Sequence, residues 1–145
     1  MALVAIEKVN GGEHAFTATA LANLARSHMA LGQPALALPL QERALAIREK
    51  SFGAVHFITA MAWTDLAQTR LALGQPDQAQ EAELRALAIR EQALSPSHVD
   101  TASSLASLAD IRIAQGQPGQ ALPLLQRAEA IYQQARSEEH TSELQ

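Results

Sequence analysis

The sequence predicts an all-α protein built as a solenoid of antiparallel helical hairpins, and three observations predict it. The chain repeats itself with a period of 42 residues. Each period carries apolar residues at helical spacing on both sides of a Gly-Gln-Pro triplet. Apolar residues make up 48% of the chain but aromatic ones only 3%, so alanine and leucine supply most of the core. Both are strong helix formers, and small side chains let helices approach closely.

The period is legible without a gap. HAFTATALANLARSHMALGQPALALPLQERALAIREKSFGAV covers 14–55, HFITAMAWTDLAQTRLALGQPDQAQEAELRALAIREQALSPS covers 56–97, and a third copy begins at His98. In step are His14, His56 and His98; Thr17, Thr59 and Thr101; Leu24, Leu66 and Leu108; Arg43, Arg85 and Arg127; and Ile47, Ile89 and Ile131.

Each unit reads as two helices. The first runs from the His to the residue before the Gly, with apolar positions at helical spacing such as Leu21, Leu24 and Ala25. Gly32, Gly74 and Gly116 stop it, because Gly tolerates the left-handed conformation that ends helices. Pro34, Pro76 and Pro118 open the second helix, where a missing N–H costs nothing. Pro39 and Pro123 fall one turn further in, where each removes a hydrogen bond and bends the start of the helix. One hairpin cannot bury its own apolar face, whereas stacked hairpins bury a continuous core.

The two ends read differently. Residues 2–13 resemble the segment one period later, ALAIREKSFGAV, so 1–13 is expected to be the remnant second helix and loop of a preceding unit. The third unit spans 98–135. The last ten residues, RSEEHTSELQ, match a translated sequencing adapter: AGATCGGAAGAGCACACGTCTGAACTCCAG read in frame gives them in order. Residues 136–145 are therefore expected to be non-native, and a fragment of a larger bacterial protein is expected. This tail holds one arginine and three glutamates, so the net charge of −4 becomes −2 without it.

Composition excludes several function classes. Nothing is basic enough for nucleic acid, no apolar stretch is long enough to span a membrane, and no secretory signal opens the chain. A cytoplasmic location is expected. With no cysteine there is no disulfide, thiolate metal site or cysteine nucleophile.

The sharpest-looking constellation is His14, His56 and His98. A metal-binding array is one reading. Equivalent residues of stacked hairpins lie on the order of 10 Å or more apart, however, whereas ligands of one metal all lie about 2 Å from it. The favoured reading is a loop or first-turn residue in each unit. No nucleophile–base pair, Gly-rich phosphate loop or His-Glu-x-x-His run is present, so neither catalysis nor a cofactor is expected. Asp65 and Asp110 read as surface carboxylates. Arg48 and Arg90, with Glu49 and Glu91, read as exposed helix-end charges. Glu81 and Arg85, four apart, should support their helix, and Trp63 reads as core.

LANLARSHMALGQPALALPLQERALAIRE and WTDLAQTRLALGQPDQAQEAELRALAIRE carry the pattern L-x-x-L-A…G…A-x-x…R-A-L-x-I-R-E. It resembles the tetratricopeptide repeat in its 42-residue, kinesin-light-chain-like form, over residues 14–135. Trp63 stands at the characteristic Trp position, with Leu21 and Leu105 there in the other units. The resemblance implies a right-handed solenoid and a non-catalytic scaffold that binds a peptide or partner helix in a concave groove lined by the first helices. Carried over by motif position, the groove candidates are Thr19, Asn23 and Arg26; Met61, Thr64, Asp65 and Gln68; and Ser103, Ser107 and Asp110. Asn23 matches an Asn that often bonds a peptide backbone, but Asp65 and Ser107 replace it elsewhere, and Arg26 is the one basic candidate. The chain also departs from the family where a Tyr is usual (His28, Arg70, Arg112) and where an aromatic is usual (Gln41, Glu83, Leu125), which suggests thinner, more polar packing with Arg70 near Glu83. The alternative function is a regulatory repeat array attached to an NTPase or protease domain. In the third unit Leu124, Leu125, Ala128 and Ile131 are expected to be partly exposed, giving self-association through that helix.

Overall fold

The computed structural model describes residues 14–144. The expected remnant helix in 1–13 lies outside the described residues. Six helices follow in order: α1 (Ala15–Ala30), α2 (Pro34–Phe52), α3 (Phe57–Ala72), α4 (Pro76–Ala93), α5 (Val99–Ala114) and α6 (Pro118–Leu144). Each packs against the next, and α3 also touches α5, so three hairpins stack in sequence order as a solenoid. No strand is present among the described residues.

Local chemistry sets each boundary. The periodic histidines are the N-caps of the first helices. His14 Nδ1 accepts from the Phe16 N–H at 3.1 Å, His56 Nδ1 from Ile58 at 3.1 Å, and His98 Nδ1 from Asp100 at 3.0 Å. Each therefore satisfies an otherwise orphaned donor of the first turn. The first helices end in the reciprocal bonds that a left-handed glycine allows. At Gly74, with φ 73°, its own N–H reaches Leu71 O at 3.0 Å and the Gln75 N–H reaches Arg70 O at 2.9 Å. Pro34 and Pro76 then sit in the first turn of the next helix. α2 and α6 continue unbroken through Pro39 and Pro123.

The triplet's glutamine also has a role. Its side-chain oxygen receives the residue at the family's Tyr position: His28 Nδ1 lies 2.9 Å from Gln33 Oε1, and Arg70 Nη1 lies 2.9 Å from Gln75 Oε1. Arg70 also meets Glu42 at 3.5 Å, so the expected pairing with Glu83 is replaced by partners at the turn and on the previous hairpin.

The in-step threonines of the second and third hairpins fasten each to the loop before it. Thr59 Oγ1 donates to Gly53 O and Thr101 Oγ1 to Ser95 O, both at 2.7 Å, with both side chains fully buried.

Two kinds of apolar cluster alternate. Within hairpins lie Ala18, Leu21, Ala44 and Ile47, then Ala60, Ala86 and Ile89, then Ala102, Leu105, Ala128 and Ile131. Between hairpins lie Leu45 against Ala62 and Leu66, and Ala79 against Leu108 and Ile111. Trp63 is half-buried, packs on both adjoining clusters and carries the Arg85 guanidinium 4.9 Å from its ring centre.

The expectation for the third unit needs correcting. Leu125 is 41% exposed and Leu124 half-buried, as expected, but Ala128 and Ile131 are buried at 3% and 7%. They face their own partner α5 rather than the outer side of the hairpin. The helix also does not stop near 135: it runs to Leu144, and the side chains from 137 to 144 are all exposed.

Candidate functional site

The first helices line two cavities in the same register. The first, about 90 Å³, is bounded by Ala22, Arg26 and Met29 of α1, Gln41 of α2, and Asp65, Gln68 and Thr69 of α3. The second, also about 90 Å³, is bounded by Ala67, Gln68 and Leu71 of α3 and Ser107, Asp110 and Ile111 of α5. A shift of 42 residues carries Arg26, Met29, Asp65, Gln68 and Thr69 onto Gln68, Leu71, Ser107, Asp110 and Ile111, so the repeat draws the cavity twice. Gln68 lines both.

Five of the ten sequence candidates meet at these cavities: Arg26, Asp65 and Gln68 at the first, and Gln68, Ser107 and Asp110 at the second. The other five stand elsewhere. Thr19 is exposed and its hydroxyl donates to Ala15 O of its own helix. Asn23 and Met61 are exposed. Ser103 lies 3.2 Å from the Tyr132 hydroxyl. Thr64 is drawn into the packing, as follows.

Arg90 is buried at 7% exposure, and the reading of it as an exposed helix-end charge is overturned. Its Nη1 donates to Thr64 Oγ1 at 2.9 Å and to Ser104 Oγ at 2.6 Å, and lies 3.8 Å from Glu83 Oε1. Thr64 in turn donates to Glu83 Oε1 at 3.3 Å. Arg90 thus lies between Thr64 of its own hairpin and Ser104 of the next, and both hydroxyls receive it. Arg48, its equivalent one period earlier, is half-buried and shares the neighbourhood of Asp65 and Arg26. Burial lowers the Arg48 pKa from its ordinary value; Asp65 opposes that shift and Arg26 adds to it.

The acids respond to the same burial. Desolvation pushes Asp65 up from the ordinary carboxylate value, against the pull of Arg48, Arg26 and Arg90. It pushes Glu83 up as well, against the Ser104 hydroxyl, Arg90 and Thr64. Glu83 is fully buried, and its second oxygen, Oε2, has no partner. The equivalent residue Gln41 repeats this: it is 7% exposed and its Oε1 is buried without a partner.

Motif position on the first helices does not point to Gln41 at the first cavity or to the packed Arg48 and Arg90, because all three belong to second helices. The signal was present: Gln41 and Glu83 are polar where the family usually has an aromatic.

Among the described residues no three His, Cys, Asp or Glu side chains come together as a possible metal-ion set, and the periodic histidines instead act as caps. No helix among the described residues is long and apolar enough to cross a membrane.

Comparison with known proteins agrees with the fold. The tetratricopeptide repeat profile matches residues 1–50, 16–92 and 59–134. No curated protein matches the chain at a significant level. Among solved structures it is similar to a Podosopora anserina protein described as a kinesin light chain with nearly identical TPR-like repeats. A point variant of that protein matches with TM-score 0.81 and 29% identity, covering 93% of this chain and 64% of that one. A second structure with the same kinesin light chain description matches with TM-score 0.78 and 28% identity, covering 92% and 63%. BtubC (BKLC) from P. vanneervenii superposes with TM-score 0.83 at 24% identity, covering 92% and 54%, a likeness of fold. The chain thus spans less than two thirds of the length of these structures. The 42-residue hairpin, its stacking and the matched profile make one identification: the chain belongs to the tetratricopeptide repeat family.

Proposed function

We propose that this chain is a non-catalytic protein-interaction module that holds an extended peptide or partner helix along its first helices. The observation that carries the reading is the pair of equivalent cavities joined by Gln68. A repeated recess along one face suits a ligand that is itself a repeated chain, and a solenoid offers such a surface at little cost to its core. The polar groups at the rim (Arg26, Asp65, Gln68, Ser107 and Asp110) supply both donors and acceptors. The cytoplasm is the compartment we propose.

The test is selection from a random peptide library followed by affinity measurement. Gln68→Trp blocks both cavities at once and should weaken selected peptides at least tenfold. Glu81→Ala, an exposed change on α4, should leave them unchanged. Equal binding by Gln68→Trp would remove the groove from the account.

On α6, Leu122 and Leu125 are 57% and 41% exposed. We propose that they mediate weak self-association. Sedimentation of the wild type and of Leu122→Glu/Leu125→Glu tests this: a concentration-dependent rise in mass for the wild type alone supports it, and two identical monomers contradict it.

A further inference from the structure

At the junction of hairpins 2 and 3, the polar residue at register position 83 is sealed. Thr64 donates to Glu83, and Arg90 and Ser104 close around it. At the junction of hairpins 1 and 2 the same position is also buried but borders a cavity. The residue equivalent to Thr64 is Ala22, which has no hydroxyl, and the residue equivalent to Ser104 is Ala62. Both Ala22 and Gln41 line the first cavity, and the buried Gln41 Oε1 is left without a donor. An unpaired buried amide oxygen is costly. Glu83 Oε2 is unpartnered too, but Gln41 lines the first cavity.

The charges around the recess decide what can enter. Arg26 lines it, and Arg48 stands close enough to feel both Arg26 and Asp65. A cationic side chain would meet these two like charges. An anionic one would be drawn to them but would meet Asp65 and has no N–H to donate to Gln41 Oε1. A neutral carboxamide avoids both penalties and offers what the walls lack. Its N–H groups can donate to Gln41 Oε1 and Asp65, and its carbonyl can accept from Arg26 or Gln68. The volume, about 90 Å³, is that of roughly three waters of the liquid and accommodates one such head group.

The second cavity has a different wall. Met29 and Thr69 of the first become Leu71 and Ile111, while Ser107 and Asp110 stay on its lining with Gln68. It suits a small apolar side chain. Equivalent positions of stacked hairpins lie on the order of 10 Å apart. Three residues of a polyproline II chain rise about 9 Å and return to the same side.

We propose that the first cavity is a specificity pocket for an Asn or Gln side chain of a bound peptide, with a small apolar side chain three residues away in the second cavity. The proposal rests on the groove reading given above.

Two readouts test it. In the library selection, peptides recovered on the wild type should be enriched in Asn or Gln with an apolar residue three positions away. Gln41→Leu, which installs the residue that the third hairpin carries as Leu125, should erase the Asn/Gln preference. Ala22→Thr, which supplies the hydroxyl that Thr64 gives Glu83, should weaken the recovered peptides at least tenfold. In the second readout, the probe N-acetyl-glutamine N-methylamide should shift the amide resonances of Ala22, Gln68 and Thr69. N-acetyl-glutamate N-methylamide and N-acetyl-lysine N-methylamide should not shift them. Peptides recovered without Asn/Gln enrichment, or an enrichment that survives Gln41→Leu, would overturn this proposal and leave the groove standing. Recovery of no peptide, with no shift by the glutamine probe, would overturn both.

Discussion

Arg90 Nη1 donates to Ser104 Oγ at 2.6 Å, from the second helix of one hairpin to the first helix of the next. With Thr64 and the fully buried Glu83 it forms a polar junction where the third hairpin's equivalents of Glu83 and Arg90 are Leu125 and Tyr132. Breaking a buried ion pair from one side leaves an uncompensated charge, which costs about 3–5 kcal/mol, whereas replacing both partners is often neutral. Arg90→Leu should therefore cost about 3 kcal/mol at pH 7 by urea unfolding. Glu83→Leu/Arg90→Tyr, which transplants the pair from the third hairpin, should stay within about 1 kcal/mol of wild type.

The same junction gives a pH dependence. Burial raises the Glu83 pKa in the folded state, so a protonated Glu83 contributes stability at low pH that is lost as pH rises through the raised value. The penalty of Arg90→Leu should accordingly shrink as pH falls from neutral toward the ordinary carboxylate range. Urea titrations at several pH values check this; a penalty that grows on acidification would contradict it.

Gln41→Leu should separate stability from binding. Removing a buried acceptor that has no donor should stabilise the fold by about 1 kcal/mol. The same change should abolish the peptide preference. Thermal unfolding and peptide affinity, measured on one preparation, show whether the two move in opposite directions.

The capping histidines are separable from metal chemistry. His56→Ala should cost about 1 kcal/mol, and His56→Asn, which can also accept from the Ile58 N–H, should recover most of it. Adding Zn²⁺ should leave the melting temperature unchanged. A zinc-dependent rise would restore the metal-array reading.

Thr59→Val should destabilise by about 1 kcal/mol, because Gly53 O loses its 2.7 Å donor at a buried position. Hydrogen exchange should report the loss first in the loop before α3.

The hairpins are legible in the sequence because their signals are local and repeated. A glycine with positive φ, a proline in the first turn and a histidine cap recur every 42 residues, and each acts within a few residues of itself. The cavity linings are half legible. Asp65, Gln68, Ser107 and Asp110 follow from motif position on the first helices. Arg48, Arg90 and Gln41 escape such reasoning because their roles depend on what the adjacent hairpin presents. Arg90 is buried only because the Thr64 and Ser104 hydroxyls meet it, and the alanines at 22 and 62 change the outcome one period earlier. The burial of Ala128 and Ile131 escapes it for a related reason: which face of α6 meets α5 is a property of the packed pair.

We propose that the face along α1, α3 and α5 holds the ligand. Chemical-shift mapping with a library-selected peptide on isotope-labelled protein tests it most directly. The account predicts that the perturbed amides cluster on Arg26, Asp65, Gln68, Ser107 and Asp110, running continuously through both cavities. Perturbations confined to the outer faces of α2, α4 and α6 would contradict it.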